Sequence, residues 1–120
     1  MLSLPPSVRV FVATQPVDGR KGVDSLAAMV RSVFGHDPLS GHLYVFFSKR
    51  ADRVKVIYWD RSGFAMWTKR VEKGRFHAPF VEGALSVAGL EHAELTLILE
   101  GIDLAGARRR PRWEPRRSAA

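Results

Sequence analysis

Residues 37–76, DPLSGHLYVFFSKRADRVKVIYWDRSGFAMWTKRVEKGRF, hold three strand-like runs separated by two turn signals, and most of the internal basic charge sits on them. Leu43 to Phe47 is continuously apolar, which predicts a central strand buried on both faces. Val54, Val56 and Tyr58 alternate with Arg53, Lys55, Ile57 and Trp59, the period-two pattern of a strand with two unlike faces. Asp60-Arg61-Ser62-Gly63 has Asp first and Gly fourth, as a type I turn prefers, and suits a three-residue hairpin loop ending in a bulge. That loop predicts a register: Trp59 opposite Ala65, Ile57 opposite Trp67, and Lys55 opposite Lys69, all on one face. Lys49 to Arg53 turns the apolar run into this hairpin, giving a meander of three antiparallel strands.

In that register Lys55, Trp59, Trp67 and Lys69 form a platform, with rings for stacking on bases and ammonium groups for phosphate. The plainer reading makes both tryptophans core, with lysine stems running out to solvent. It is preferred here, because a loop one residue shorter would send these side chains to different faces.

Outside this stretch, Val8 to Ala13 after Pro5-Pro6 reads as a first strand. Leu26, Met29, Val30, Val33 and Phe34 then follow helical spacing, with Asp18 or Asp24 as N-cap and Gly35 as the stop. The Gly19-Arg20-Lys21-Gly22 stretch offers free amides and two cations at a helix start and so could bind a phosphate, although a flexible strand-to-helix loop with solvated charges is the preferred reading. A second helix is predicted from about Ala88 to Glu100, with Leu95, Ile98, Leu99 and Ile102 on one face, Gly101 as its stop and an acidic outer side. Residues 107–120, with six arginines, two prolines and Trp113, read as a disordered basic arm. The expected fold is α+β: a small antiparallel sheet of about four strands, two helices, a single domain over 1–106 and a tail over 107–120.

The net charge of +7 is unevenly spread. Residues 49–75 carry nine basic and three acidic groups, and residues 76–107 carry none and five. Such local basicity is an electrostatic footprint for nucleic acid. With fourteen Arg to five Lys, bidentate phosphate contacts are favoured. The expected phosphate contacts are Arg20, Lys21, Arg50, Arg53, Lys55, Lys69, Arg70, Lys73 and Arg75.

Cysteine is absent, which removes disulfides and thiolate metal sites and fits a cytoplasmic protein. No apolar run reaches a membrane span, and the N-terminus lacks signal-peptide character. The histidines His36, His42, His77 and His92 show no metal-ligand spacing, and no nucleophile elbow, Walker loop or dinucleotide fingerprint occurs. His36, at the end of the first helix, suits a terminal charge there. The chain is therefore expected to be non-catalytic and to need no cofactor or metal.

Several blocks carry a family resemblance: Val17 to Ala27 (VDGRKGVDSLA), Asp37 to Phe46 (DPLSGHLYVF), Asp52 to Lys55, Tyr58-Trp59-Asp60, Gly63-Phe64, Lys69 to Phe76 (KRVEKGRF) and Leu99 to Asp103. Together, over about residues 4–104, they resemble the TnpB-type second-open-reading-frame accessory protein of the insertion-sequence sixty-six family. Gly19, where that family usually has a larger apolar residue, and Phe47-Ser48, in place of a more basic stretch, depart from the pattern. The resemblance implies a small bacterial protein encoded beside a separate transposase and needed for efficient transposition. DNA, the transposase and other element-encoded proteins are the expected partners. The alternative is an adaptor that bridges transposase and another element-encoded protein through the acidic second helix and exposed aromatics, without touching DNA.

Overall fold

The computed structural model describes Pro5, residues 7–100 and the backbone of Ile102, Asp103, Arg108 and Arg109. Strand β1 (Val10–Ala13) leads through helix α1 (Val23–Ser32) to β2 (Leu43–Phe47), β3 (Arg53–Asp60) and β4 (Gly63–Arg70). After a long irregular segment come β5 (Val87–Leu90) and helix α2 (His92–Glu100). A short strand β6 (Ile102–Asp103) then pairs antiparallel with β7 (Arg108–Arg109). The remainder of the expected basic arm, Trp113 included, and Gly101, the expected stop of the second helix, lie outside the described residues.

The five strands β1 to β5 form one sheet in the order β4-β3-β2-β1-β5. The α+β class and the β2-β3-β4 meander are as the sequence predicts, but the sheet has a fifth strand and is mixed. β1 and β2 run parallel, Val10 beside Leu43 and Val12 beside Val45. A parallel pair needs a crossover, and α1 supplies it. The fifth strand takes Val87 to Leu90, where the sequence suggested the start of the second helix. There it pairs antiparallel with β1, Val12 opposite Ala88. Ile102, expected on the helix face, belongs to β6 instead.

Each face of the sheet has its own helix. Leu26, Ala27 and Val30 of α1 bury Ala13, Tyr44, Phe46 and Ile57. Leu95, Ile98 and Leu99 of α2 bury Val10, Val12, Leu43, Val45, Phe47, Val54 and Val56 on the other face. Every residue of β2 is buried, which explains its unbroken apolar run: alternate side chains enter different cores. At about 1.5–3 kcal/mol for each large side chain enclosed, this strand is the main hydrophobic anchor of the fold. Val33 of the expected buried helix face is instead 48% exposed, because α1 ends at Ser32. Gly35, at φ 69°, reverses the chain there, and His36 N–H donates to the Val30 carbonyl at 3.0 Å. Neither aspartate caps α1; its N-cap is Gly22, without a side-chain hydrogen bond.

The β3–β4 turn corrects the predicted register. Asp60 pairs with Gly63, Trp59 with Phe64, Ile57 with Met66, Val56 with Trp67 and Lys55 with Thr68. The loop is therefore two residues long, and Arg61 takes the left-handed conformation at φ 57° that such a turn requires of its first residue. A one-residue slip flips every side chain of one strand relative to its partner. Lys55 and Trp59 consequently share the α1 face, whereas Trp67 and Lys69 lie on the α2 face. The four-residue platform and the facing pair of lysines do not form.

Candidate nucleic-acid interface

Because β1 and β2 are parallel and β3 and β4 alternate with them, one end of the sheet collects four chain segments. These are the loop after β1, the β2–β3 turn, the start of β3, and the end of β4 with the segment that follows. Residues 14–24, 48–55 and 69–75 supply ten Lys and Arg side chains to this end, against the four acids Asp18, Asp24, Asp52 and Glu72. All nine cations expected to meet phosphate are among them: Arg20, Lys21, Arg50, Arg53, Lys55, Lys69, Arg70, Lys73 and Arg75. The tenth is Lys49, which the sequence reading passed over although it sits beside Arg50 in the turn.

Backbone bonds hold these segments together. Val17 N–H donates to the Phe47 carbonyl at 2.9 Å, and Val17 bridges in parallel to Ser48, so the loop after β1 is pinned to the end of β2. Ala51 turns the chain at φ 56°, with its N–H on the Ser48 carbonyl at 2.9 Å. Val71 N–H reaches the Asp52 carbonyl at 2.9 Å and Phe76 N–H the Ala51 carbonyl at 2.7 Å. The Phe76 ring packs on Phe47 with centroids 5.9 Å apart, which carries the Lys73 and Arg75 segment up against the turn.

The charged side chains differ in freedom. Lys55 donates to the Lys21 carbonyl at 2.6 Å, and Lys69 to the Leu99 carbonyl at 3.1 Å. Each is thereby steered along its own face, one toward the start of α1 and the other toward the end of α2. Arg20 grips Asp18 through Nη2 at 2.8 Å and Nε at 3.1 Å, and its backbone N–H donates to the same carboxylate at 2.9 Å. These bonds hold the Asp18 carboxyl well below the usual carboxylate range. Arg70 bonds Glu72 at 3.3 Å. Arg53 lies directly opposite Arg70 across the β3–β4 ladder, a like-charge pairing that costs up to about 1 kcal/mol and is relieved by a bound anion.

The two tryptophans stand apart from this end. Trp59 is near the far end of β3, half-buried, with its ring edge-to-face on Phe64 at 5.1 Å. Trp67 is half-buried on the other face, packed against the core beneath α2. Neither ring is fully buried: Trp67 flanks the α2-side core and Trp59 lies outside both cores against Phe64, so the plainer reading of two enclosed core tryptophans is met only as partial burial.

The loop after β1 and the β2–β3 turn enclose a cleft of about 580 Å³, lined by Pro16, Val17, Asp18, Gly19, Arg20, Ser48, Lys49, Arg50, Asp52 and Arg53. It opens at the carboxyl ends of the two parallel strands, the usual position for ligands on sheets with crossover helices. Ser48 donates to Asp52 Oδ1 at 3.0 Å and accepts the Arg53 N–H at 3.2 Å, which fixes the floor.

The histidines are tied into the scaffold elsewhere. His36 Nδ1 meets the Tyr44 hydroxyl at 3.2 Å, His42 Nδ1 accepts the Arg9 N–H at 2.9 Å, and His92 Nε2 donates to the Val8 carbonyl. Among the described residues no group of His, Asp or Glu is placed to hold a metal ion, and no helix is long and apolar enough to cross a membrane.

Fold and site together define a small α+β domain, helix-covered on both faces, with its cations gathered at one end of the sheet. The sequence model of the IS66 Orf2-like proteins matches residues 8–109, and the chain belongs to that family. It is 42% identical over 113 residues to the uncharacterized protein y4jC of Sinorhizobium fredii (strain NBRC 101917 / NGR234), covering 93% of this chain and 94% of that one. It is 40% identical over 103 residues to the uncharacterized protein y4hO of the same strain, covering 86% and 88%. No solved structure matches it. Membership associates the chain with the IS66 transposition system as an accessory protein.

Proposed function

We propose that the protein is a non-catalytic accessory factor of transposition that binds DNA through the basic end of its sheet and assists a separate transposase. The observation that carries this reading is the convergence of ten cations, from residues 14–24, 48–55 and 69–75, on one end of the sheet. Phosphate contacts supply most of the affinity of such a surface and carry no sequence information of their own. Arg20, Arg50, Lys69, Arg70, Lys73 and Arg75 are the exposed phosphate contacts, with Lys21, Arg53 and Lys55 half-buried behind them. The tryptophans contribute stability and not stacking in this account.

Binding of a fluorescent element-end duplex, measured by anisotropy across a salt series, tests the reading. With about five or six phosphates contacted, log K should fall against log salt with a slope of roughly −4.5 to −5.4, at about −0.9 per contact. A flat response, or no binding at low salt, would sink this reading and leave the adaptor role between transposase and another element-encoded protein.

A further inference from the structure

We infer that the cleft between the loop after β1 and the β2–β3 turn seats a phosphomonoester at an unpaired end of a DNA strand. This rests on the reading that the basic end of the sheet binds DNA, and names what enters it. Both carboxylates of the cleft are already satisfied: Asp18 by Arg20, and Asp52 by the Ser48 hydroxyl. Among the described residues, the side chains of Lys49, Arg50 and Arg53 make neither hydrogen bonds nor ion pairs. Three uncommitted cations thus border one concave space.

Shape and charge then select the ligand. A duplex, whose major groove alone is about 12 Å wide, is too broad for a cleft of about 580 Å³ and can only lie across its mouth. A strand terminus or a splayed nucleotide fits inside. An internal phosphodiester offers one negative charge and two free oxygens, whereas a monoester near neutral pH carries close to two charges and three acceptor oxygens. The monoester is the better match to two guanidinium forks and an ammonium. Gly19 keeps the space open: a Cβ there would lie 3.4 Å from Ser48 Cβ and 3.6 Å from Arg53 Cδ, so a longer side chain would occupy the floor beside the Arg53 stem.

The test uses the full chain and duplexes with a short single-stranded overhang ending in a 5′-phosphate, a 3′-phosphate or a hydroxyl. One phosphorylated end should bind roughly ten-fold more tightly than its hydroxyl counterpart, equivalent to about 1.4 kcal/mol. The preference should collapse in Lys49→Ala and in Gly19→Leu, with circular dichroism confirming that both variants fold. Equal affinity for phosphorylated and hydroxyl ends, with binding otherwise intact, overturns the end site alone. No binding to any duplex overturns the DNA reading itself. A preference that survives both substitutions places the end site elsewhere and overturns the assignment to this cleft.

Discussion

Trp59 and Trp67 stand on opposite faces of the sheet, the first paired with Phe64 on the α1 side and the second with Val56 on the α2 side. Trp67 packs directly against the α2-side core, and Trp59 packs on Phe64, which in turn flanks the α1-side core. Trp59→Ala and Trp67→Ala should each lower stability by roughly 2–3 kcal/mol, less than the 3–5 kcal/mol of a fully enclosed ring. The double variant should show the sum of the two within about 0.5 kcal/mol in urea unfolding. A strong coupling energy would mean that the rings touch, as a shared platform requires.

In the proposed complex Asp18 is the competitor of DNA for Arg20, which it already grips. Its carboxyl is held below the usual range first by the side-chain bonds from Arg20 and then by the Arg20 backbone N–H. A depressed folded value means that the stabilisation is present above the unfolded value near 4 and is lost only as pH falls through the lower folded one. The carboxyl resonance of Asp18 should therefore show no titration midpoint between pH 4 and about 8. Asp18→Asn removes the competitor and one negative charge, and should raise affinity for duplex roughly two- to five-fold at low salt.

Thr14, just after β1, is tied to Ser86, just before β5. Its buried hydroxyl lies 3.2 Å from the Ser86 N–H and 3.1 Å from the Ser86 hydroxyl, across a separation of 72 residues. Thr14→Val leaves that N–H without its side-chain acceptor and should cost roughly 1–3 kcal/mol. Hydrogen exchange should accelerate most in Val87 to Leu90.

How much of this was legible in the sequence varies by element. The apolar run Leu43 to Phe47 announced a strand enclosed on both sides, because five large, mostly aromatic or β-branched apolar side chains between turn signals are too short for a buried helix. Leu26 and Val30 likewise gave α1 its buried face. The parallel pairing of β1 with β2 was hidden, since neither strand encodes the direction of its neighbour. β5 was hidden for a different reason: Val-Ala-Gly-Leu is too short and too weak in strand preference to stand out, and takes its conformation from β1. The register failed at Arg61, a residue type that rarely adopts a left-handed backbone. The phosphate-contact candidates were visible as charge density, but their convergence, and the place of Lys49 beside them, depend on topology.

Position, not only charge, should decide which cations matter. Arg50 and Lys73 border the basic end, while exposed Arg31 lies in the last turn of α1, toward the other end of the sheet. Arg50→Ala and Lys73→Ala should each weaken duplex binding across all sequences and make the salt slope shallower by about one. Arg31→Ala should change neither. An equal effect of all three would mean that net charge alone drives binding.

The order in which contacts close follows from the layout of the sheet. β2, β3 and β4 are joined by brief turns, so their ladders form at little loop-closure cost. β1 reaches β2 only after α1, and β5 reaches β1 from the other end of the described chain. Contact order therefore favours the meander as the first part to close and the β1–β5 pairing as the last. A nascent chain released before Val87 still contains every strand of the β2-β3-β4 ladders, but it has no β5 to cover the edge of β1 and no α2 to cover Val54 and Val56. Truncation from the C-terminal side should therefore produce self-association well before it abolishes strand content.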